Sequence, residues 1–471
     1  MKIILINPSI RNPLRAEIPL KIDKEIGALP SLGLLSLASF LKERLPEQEV
    51  NIIDARIDNM DLESVRETVE RIRPDLVGIT TMTFSLLDVL DTARVIKGID
   101  SNIKICLGGP HVSIYPKETL SFKEVDFVIQ GEGEEAFLHL INNLNDKTPL
   151  FNIRGLGLKD EQGNLHLNGG KQIIEDLDIL PPMDIKSINY KKCYSPLGVG
   201  KLMMTLQSSR GCPFRCIYCD QQSGKILRKR SIKKIIDEIK NFHALGVRDI
   251  FFVDDLFTFD RKRVFEFCSS ILEEKIDIYF KISSRVDTID REMLAILKKA
   301  GCYRIHYGVE SGSQRILNRL KKGITIEQIE NAFRLTREAG IDTFAYFMLG
   351  CPGETRQDIM DTVNFALKLN PSYAHFSIAT PYPDTELYRM ALEEGLFGED
   401  YWRKFAQCPD KEFSTKFWTK ELKTEELISL QNYVNRRFYF RVPFLMKELR
   451  NIPSWSSGLK RMKMAYRIFT S

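Results

Sequence analysis

Short apolar runs recur through the first part of the chain, each followed by a stretch whose apolar positions fall three or four residues apart. Lys2–Asn7, Val50–Asp54, Leu76–Thr81, Ile103–Leu107 and Phe127–Gln130 read as strands. Leu32–Arg44, Leu62–Ile72 and Leu86–Lys97 read as amphipathic helices between them. Arg73-Pro74-Asp75 ends the second helix, because a residue before proline disfavours the helical region. This alternation predicts a doubly wound parallel α/β sheet over residues 1–145. Ligands on such sheets sit beyond the carboxyl ends of the strands.

Residues 146–200 break the rhythm and read as a connector. Ile153–Lys159 and Asn164–Asn168, around Glu161-Gln162-Gly163, predict a hairpin, and Leu180-Pro181-Pro182 follows. Over residues 201–395 the alternation returns. Leu202–Gln207, Asp249–Asp254, Tyr279–Ser283, Arg304–Val309, Thr343–Leu349 and Ala374–Ala379 read as six strands, each with a helical stretch behind it. Six such units predict a partial (β/α)6 barrel, open on one side, with its site at the carboxyl ends of the strands. Residues 396–471 are helical in pattern, aromatic and basic.

Composition adds exclusions. The 471 residues are 43% hydrophobic and 28% charged, ordinary for a globular protein of more than one domain. A net charge of +5 is too small to argue for nucleic acid. No apolar run approaches the ~20 residues that span a bilayer. The opening MKIILINPSIRNPL reads as a strand and not a signal peptide, so the expected compartment is the cytoplasm. Nine cysteines, an odd number without a secretory signal, argue against a disulfide framework.

Three of those cysteines carry the chemistry. Ser209-Arg210-Gly211-Cys212-Pro213-Phe214-Arg215-Cys216-Ile217-Tyr218-Cys219 gives Cys-x3-Cys-x2-Cys directly after the first barrel strand. Soft thiolates in this spacing bind iron or zinc. Structural zinc wants a fourth ligand, and no fourth cysteine lies close; the nearest downstream histidine is His243. A [4Fe-4S] cluster held by three cysteines keeps one iron open to a chelating ligand. The segment resembles the signature of the radical S-adenosylmethionine (SAM) superfamily, Cys-x3-Cys-x-aromatic-Cys, with Tyr218 as the aromatic. The resemblance implies that SAM chelates the open iron and is cleaved, by an electron from an external flavodoxin- or ferredoxin-type donor, to methionine and a 5′-deoxyadenosyl radical.

Five turns behind the cysteine loop carry the resemblance through the barrel: Phe252-Val253-Asp254-Asp255, Ser283-Ser284-Arg285, Gly308-Val309-Glu310-Ser311-Gly312, Leu349-Gly350-Cys351-Pro352-Gly353-Glu354, and Thr380-Pro381-Tyr382-Pro383-Asp384. Taken singly, each is as well explained as a capped strand-to-helix turn. The resemblance implies that Glu310, with Gly312 beside it, meets the polar end of SAM and that Arg285 is a partner for its carboxylate. It implies that Gly350 and Gly353 approach adenine, and that Asp254 and Asp255 hold the amino group or face substrate. Cys351 reads as a packed thiol.

The amino-terminal sheet resembles the cobalamin-binding domain of one radical SAM subgroup. The matching residues are Pro30-Ser31-Leu32-Gly33-Leu34, Asp54-Ala55, Thr80-Thr81-Met82-Thr83, Leu107-Gly108-Gly109-Pro110-His111 and Gly131-Glu132-Gly133-Glu134. The resemblance implies a slot for the cobalamin tail lined by Gly108 and Gly109, hydroxyls from Thr80, Thr81 and Thr83, and Gly131 and Gly133 at the end of the fifth strand. The Asp-x-His-x-x-Gly motif that supplies a histidine to cobalt elsewhere is absent. His111 is expected at the corrin edge or capping a turn, not on cobalt.

From Arg436 onward Glu448 is the one acid, against Arg436, Arg437, Arg441, Lys447, Arg450, Lys460, Arg461, Lys463 and Arg467, with aromatics interleaved. A helical cap over the open side of the barrel is the favoured reading. Peripheral contact with anionic lipid, delivering a lipid-like substrate, is the other. Trp402 and Trp418 are expected on the substrate side. The functional expectation is a cobalamin-dependent radical SAM enzyme that modifies an unactivated carbon of a small or lipid-like molecule, by methyl transfer. The alternative is oxidative cyclisation, since the layout also resembles the anaerobic magnesium-protoporphyrin ester cyclases. Methylthio transfer to tRNA is excluded by the missing extra cysteine set, and a zinc-stabilised cobalamin carrier is the non-catalytic reading.

Overall fold

The computed structural model describes residues 1–12, 14, 27–441 and 444. The first sheet holds β1 (Lys2–Asn7), β2 (Glu49–Asp54), β3 (Leu76–Thr80), β4 (Lys104–Gly108), β5 (Phe127–Ile129), β6 (Leu156–Lys159) and β7 (Leu165–Leu167), in the order β2-β1-β3-β4-β5-β6-β7. The first five strands are parallel. The order reverses between β1 and β3, which opens a crevice beyond their carboxyl ends. Ile3 and Leu5 of β1 bury against Leu34, Leu41 and Phe137 on one face, and Ile4 and Ile6 against Val65, Val89 and Ala93 on the other. Burial on both faces explains why β1 is continuously apolar. The hairpin of the connector is β6 and β7, and it adds to this sheet antiparallel at β5.

The second sheet is wholly parallel. It runs β8 (Met203–Leu206), β11 (Asp249–Phe252), β12 (Tyr279–Ser284), β13 (Cys302–Glu310), β14 (Asp342–Leu349), β15 (Tyr373–Ile378), with β8 and β15 as free edges. It is a six-stranded barrel left open. Alternate residues such as Ile250, Phe280, Ile305, Phe347 and Phe376 face the surrounding helices and form the largest core. Between β8 and β11, β9 (Ser209–Arg210) and β10 (Arg228–Lys229) form a small antiparallel ribbon. Helix Thr424–Tyr439 closes the outside of β15, where Phe438 meets Phe376 at 5.7 Å and Gln431 donates to the Phe376 carbonyl. Of the basic tail, Lys447, Glu448, Arg450, Lys460, Arg461, Lys463 and Arg467 lie outside the described residues. Among the described residues no helix is long and apolar enough to cross a membrane.

Two buried acids tie the halves together. Glu132 and Glu134, just past β5, face Arg210 of β9 and Arg228 of β10. Arg228 donates two bonds of 2.8 Å to Glu132, one from each terminal nitrogen. Arg210 donates to Glu134 at 3.0 Å and lies 3.4 Å from Glu132. Ser36 of helix Leu32–Arg44 donates to Glu134, and the Ile174 amide to Glu132. All four charged side chains are at most 13% exposed. Burial alone raises the Glu132 pKa, but the Arg228 and Arg210 guanidiniums outweigh it and hold the carboxyl below its usual value.

The turn after β14 holds a different kind of buried acid. Glu354 is fully buried, accepts from the Cys351 amide at 2.9 Å, and its other oxygen has no protein partner. Burial raises its pKa to about 8. Gly350, at φ +74°, leaves room for Leu427 of helix Thr424–Tyr439: a methyl group on it would lie 2.7 Å from Leu427 Cδ2.

Two expectations follow. Glu132→Gln strands buried guanidiniums and lowers unfolding free energy by ~3–5 kcal/mol, whereas the paired Glu132→Leu/Arg228→Met recovers much of the loss. Anaerobic denaturant melts of the three proteins check this. The neutral form of Glu354 is favoured in the fold, so its contribution is full below pH ~4.5 and is lost as pH rises towards ~8. Thermal melts of Glu354→Gln against the parent therefore show the variant gaining relative stability between about pH 5 and about pH 8; parallel curves contradict the assignment.

Candidate functional site

The cysteine loop leaves the ribbon at Gly211, whose φ is +97° and where a methyl group would lie 2.2 Å from the Ile226 carbonyl oxygen. Only glycine fits there. Its amide donates to Asp255 at 3.1 Å, and the Cys212 amide donates to the Gly224 carbonyl at 3.1 Å. Further along, the Ile217 amide donates to the Leu320 carbonyl, and Ile217 accepts from the Leu387 amide at 2.8 Å. Cys212, Cys216 and Cys219 are all free thiols, partly or fully accessible, while Cys106, Cys193, Cys268, Cys302 and Cys351 are buried. Burial raises Cys212; it raises Cys219 to about 12, helped by the charges of Cys216 and Cys212. A bound metal cluster would supply the positive charge that the Cys212 and Cys219 thiolates lack. Among the described residues no three His, Cys, Asp or Glu side chains are gathered to hold a metal ion. Three cysteines without a fourth close ligand suit a cubane with one open iron better than structural zinc, which takes four ligands.

Tyr218 is held from below. Lys322, only 7% exposed, donates to Tyr218 Oη at 3.0 Å and to Glu310 Oε1 at 2.8 Å. Glu310 ends β13 with φ +66°, a strained conformation for a residue with a Cβ. The ammonium thus links the cysteine loop to the mouth of the barrel.

Other strand-end residues have partners within the protein. Asp254 is fully buried, and its carboxylate accepts from the Ser208 amide and hydroxyl and the Ser209 hydroxyl, so it braces the turn after β8. Arg285 makes two bonds of 2.9 Å to Asp287, and its guanidinium carbon lies 3.6 Å from the Phe214 ring centroid, so it supports the cysteine loop from the side. Gly312 packs on helix Arg356–Leu369, where a methyl group would lie 2.8 Å from Thr362 Cα. At Gly350 and Gly353 the close approach is by Leu427 and by Arg319, and the Gly353 amide donates to Glu421. Trp402 and Trp418 are not on an open substrate wall. They are buried with Ile217, Leu387 and Phe405 in an aromatic core that partly buries Tyr218.

In the first sheet, the loops after β3 and β4 meet at the crevice. Gly109, at φ +105°, packs 2.9 Å from the Thr81 carbonyl oxygen as measured from a methyl in its place; a methyl on Gly108 would only reach van der Waals contact with the Ile129 carbonyl oxygen at 4.0 Å, and Gly33 has open space. Thr81 is buried and Thr80 and Thr83 are partly exposed. His111 is fully buried with Nδ1 3.1 Å from Thr83 Oγ1; burial lowers its pKa to about 3, and Nε2 has no partner. A buried, neutral imidazole steadies the loop and is not presented as a metal ligand. Met82 and Phe84 stand exposed beside it. Open glycine backbone with exposed apolar side chains fits a broad, flat ligand such as a corrin. Gly131 corrects an expectation: a methyl group there would lie 2.2 Å from the Gln172 carbonyl oxygen, so it accommodates the connector and not the slot. Gly133 caps helix Glu134–Asp146.

Lys322 and Arg228, and the pairing of Arg210 with Glu132 and Glu134, were not foreseen from the sequence. Lys321-Lys322-Gly323 reads as a solvated helix end, and no local spacing signals a partner 104 residues away.

Comparison with known proteins agrees with this layout. Residues 206–366 match the radical SAM superfamily, and residues 26–141 match the B12-binding domain. An uncharacterized methyltransferase of Pyrococcus horikoshii is 33% identical over 463 residues, covering 95% of each chain. An anaerobic magnesium-protoporphyrin IX monomethyl ester cyclase of Cereibacter sphaeroides is 29% identical, covering 98% of this chain and 73% of its own. The fold is similar to that of the cobalamin-dependent SAM radical enzyme OxsB, with a TM-score of 0.74 at 18% identity, over 99% of this chain and 71% of that one. With a cobalamin-binding sheet before an open barrel and full-length likeness to a relative, the chain belongs to the cobalamin-dependent radical SAM enzymes, whose cofactors are a [4Fe-4S] cluster, SAM and cobalamin.

Proposed function

We propose that Cys212, Cys216 and Cys219 hold the cluster, that the barrel mouth around Glu310 and Asp255 receives SAM, and that the crevice at Thr80, Thr83, Gly108 and Gly109 receives cobalamin. The observation that carries this reading is the buried Glu132/Glu134–Arg210/Arg228 junction. It ties the loop beyond β5 to the ribbon that bears the thiols, so the two proposed cofactor seats share one gap. In the family the cluster and SAM supply a carbon-centred radical, and cobalamin supplies a carried methyl group.

The chain's own residues would bind and orient. Lys322 keeps Tyr218 and Glu310 in register, so the cysteine loop and the proposed SAM seat move together. Arg285 and Asp255 fix the loop's flanks. Radical SAM enzymes act on small molecules and need an electron donor. The reaction we assign is methyl transfer to an unactivated carbon, in line with the Pyrococcus relative. Cyclisation is the second reading, favoured by the likeness to the Cereibacter cyclase.

An anaerobic reaction with methyl-labelled SAM, cobalamin, a reductant and extract separates them. Label in a product together with S-adenosylhomocysteine supports methyl transfer; SAM cleavage with no label incorporated supports cyclisation. Alanine at any one of the three cysteines is expected to abolish the iron–sulfur absorbance and SAM cleavage together. Lys322→Met is expected to keep bound iron while lowering SAM cleavage by ~10–100-fold, because the loop loses its registration. Unchanged cleavage would remove Lys322 from the account.

A further inference from the structure

The inner face of the barrel carries a second pattern, independent of the thiol loop. Its outward-facing residues are apolar, but its lumen face is aromatic and basic. Rings from four strands touch in series: Phe251 and His306 at 5.3 Å, His306 and Phe344 at 4.8 Å, Phe344 and Tyr346 at 4.9 Å, Tyr346 and His375 at 6.2 Å. Tyr346 and His375, towards the open side, are exposed. The floor is charged. Lys281 is 5% exposed, its Nζ 4.5 Å from the centroid of Phe251.

That ammonium has no committed partner. The acid nearest it electrostatically, Asp249, accepts instead from the Val199 and Gly200 amides and the Tyr303 hydroxyl. Arg304, its neighbour across β12 and β13, donates to the Leu197 carbonyl and lies 3.5 Å from Asp342, so its charge is already met. His306 stands above, neutral by burial, with Nε2 unpartnered. A buried lysine without a counter-ion is costly unless something anionic compensates it. Asp249 and Asp342 balance the floor in number, but neither carboxylate bonds to the Lys281 ammonium, which leaves it the cation open to an anionic ligand.

Register gives the distance. Lys281 is level with Arg304, six residues below Glu310 on β13. At ~3.3 Å per residue the ammonium lies roughly 20 Å beneath the barrel mouth.

We propose that the lumen is the substrate seat and that it selects molecules with an apolar, ring-bearing body ending in an anionic oxyacid, carboxylate or phosphate, with the acid on Lys281 and the body along the aromatic ladder. This rests on the reading of the barrel mouth as the reaction site. The depth of the floor sets the reacting carbon well away from the acidic end.

Fluorescence anisotropy of anaerobically reconstituted holoenzyme tests it with three probes: 1-pyrenebutanoate, its methyl ester and 1-pyrenebutyl phosphate. The parent protein is expected to bind at least one of the two anions about 10- to 100-fold more tightly than the ester, and the stronger of the two names the oxyacid. Lys281→Met abolishes the preference, Lys281→Arg keeps it, and Tyr346→Ala weakens all three probes alike. Equal binding of anions and ester by the parent, or a preference that survives in Lys281→Met, overturns the proposal. SAM cleavage measured on the same preparation keeps the two readings apart: cleavage without anion preference sinks the lumen assignment alone, and anion preference without cleavage sinks the reaction alone.

Discussion

Glu132 and Glu134 follow β5 of the first sheet and meet Arg210 and Arg228 on the ribbon between β8 and β11 of the second, and this four-charge contact sets the geometry between them. Parallel sheets present their ligand sites at the carboxyl ends of their strands. Two such sheets on one chain serve a shared reaction only if those ends are held towards a common gap. A buried ionic contact is a poor source of net stability but a strict source of registration, because any slippage leaves buried charge unpaired. Here that registration acts on the ribbon that leads directly into Gly211 and the three thiols.

Local strain is concentrated along the same path. Gly211 turns where no side chain fits, and Glu310 holds a left-handed conformation at the end of β13. Lys322 bonds to Glu310 and Tyr218 at once, so the strained strand end and the cysteine loop stabilise each other. Beneath them the aromatic core with Trp402 and Trp418 partly buries Tyr218 and fixes the loop's apolar side. The loop is thus held from three directions while its thiols stay accessible.

Much of the architecture was legible in the residue pattern. β1 is buried on both faces and reads as a continuous apolar run; the barrel strands end at glycine- or acid-bearing turns; the three cysteines sit after the first of them. What escaped depends on direction and long-range partners. A glycine signals close approach but not of what: Gly350 and Gly353 admit Leu427 and Arg319, and Gly131 admits Gln172. Asp254 sits where a ligand-facing acid was expected, yet Ser208 and Ser209 take up its oxygens. Lys322 and Lys281 look like solvated lysines in sequence. Only folding shows one bridging two functional elements and the other buried at a barrel floor.

The central claim is that three thiolates leave one iron open for SAM. Electron–nuclear double resonance of the reduced, reconstituted protein, mixed with SAM carrying 17O in its carboxylate and 15N in its amine, tests it most directly. The account predicts hyperfine coupling of both nuclei to the cluster. A reduced cluster with neither coupling, or with coupling that persists when Cys216 is replaced by alanine, would contradict it.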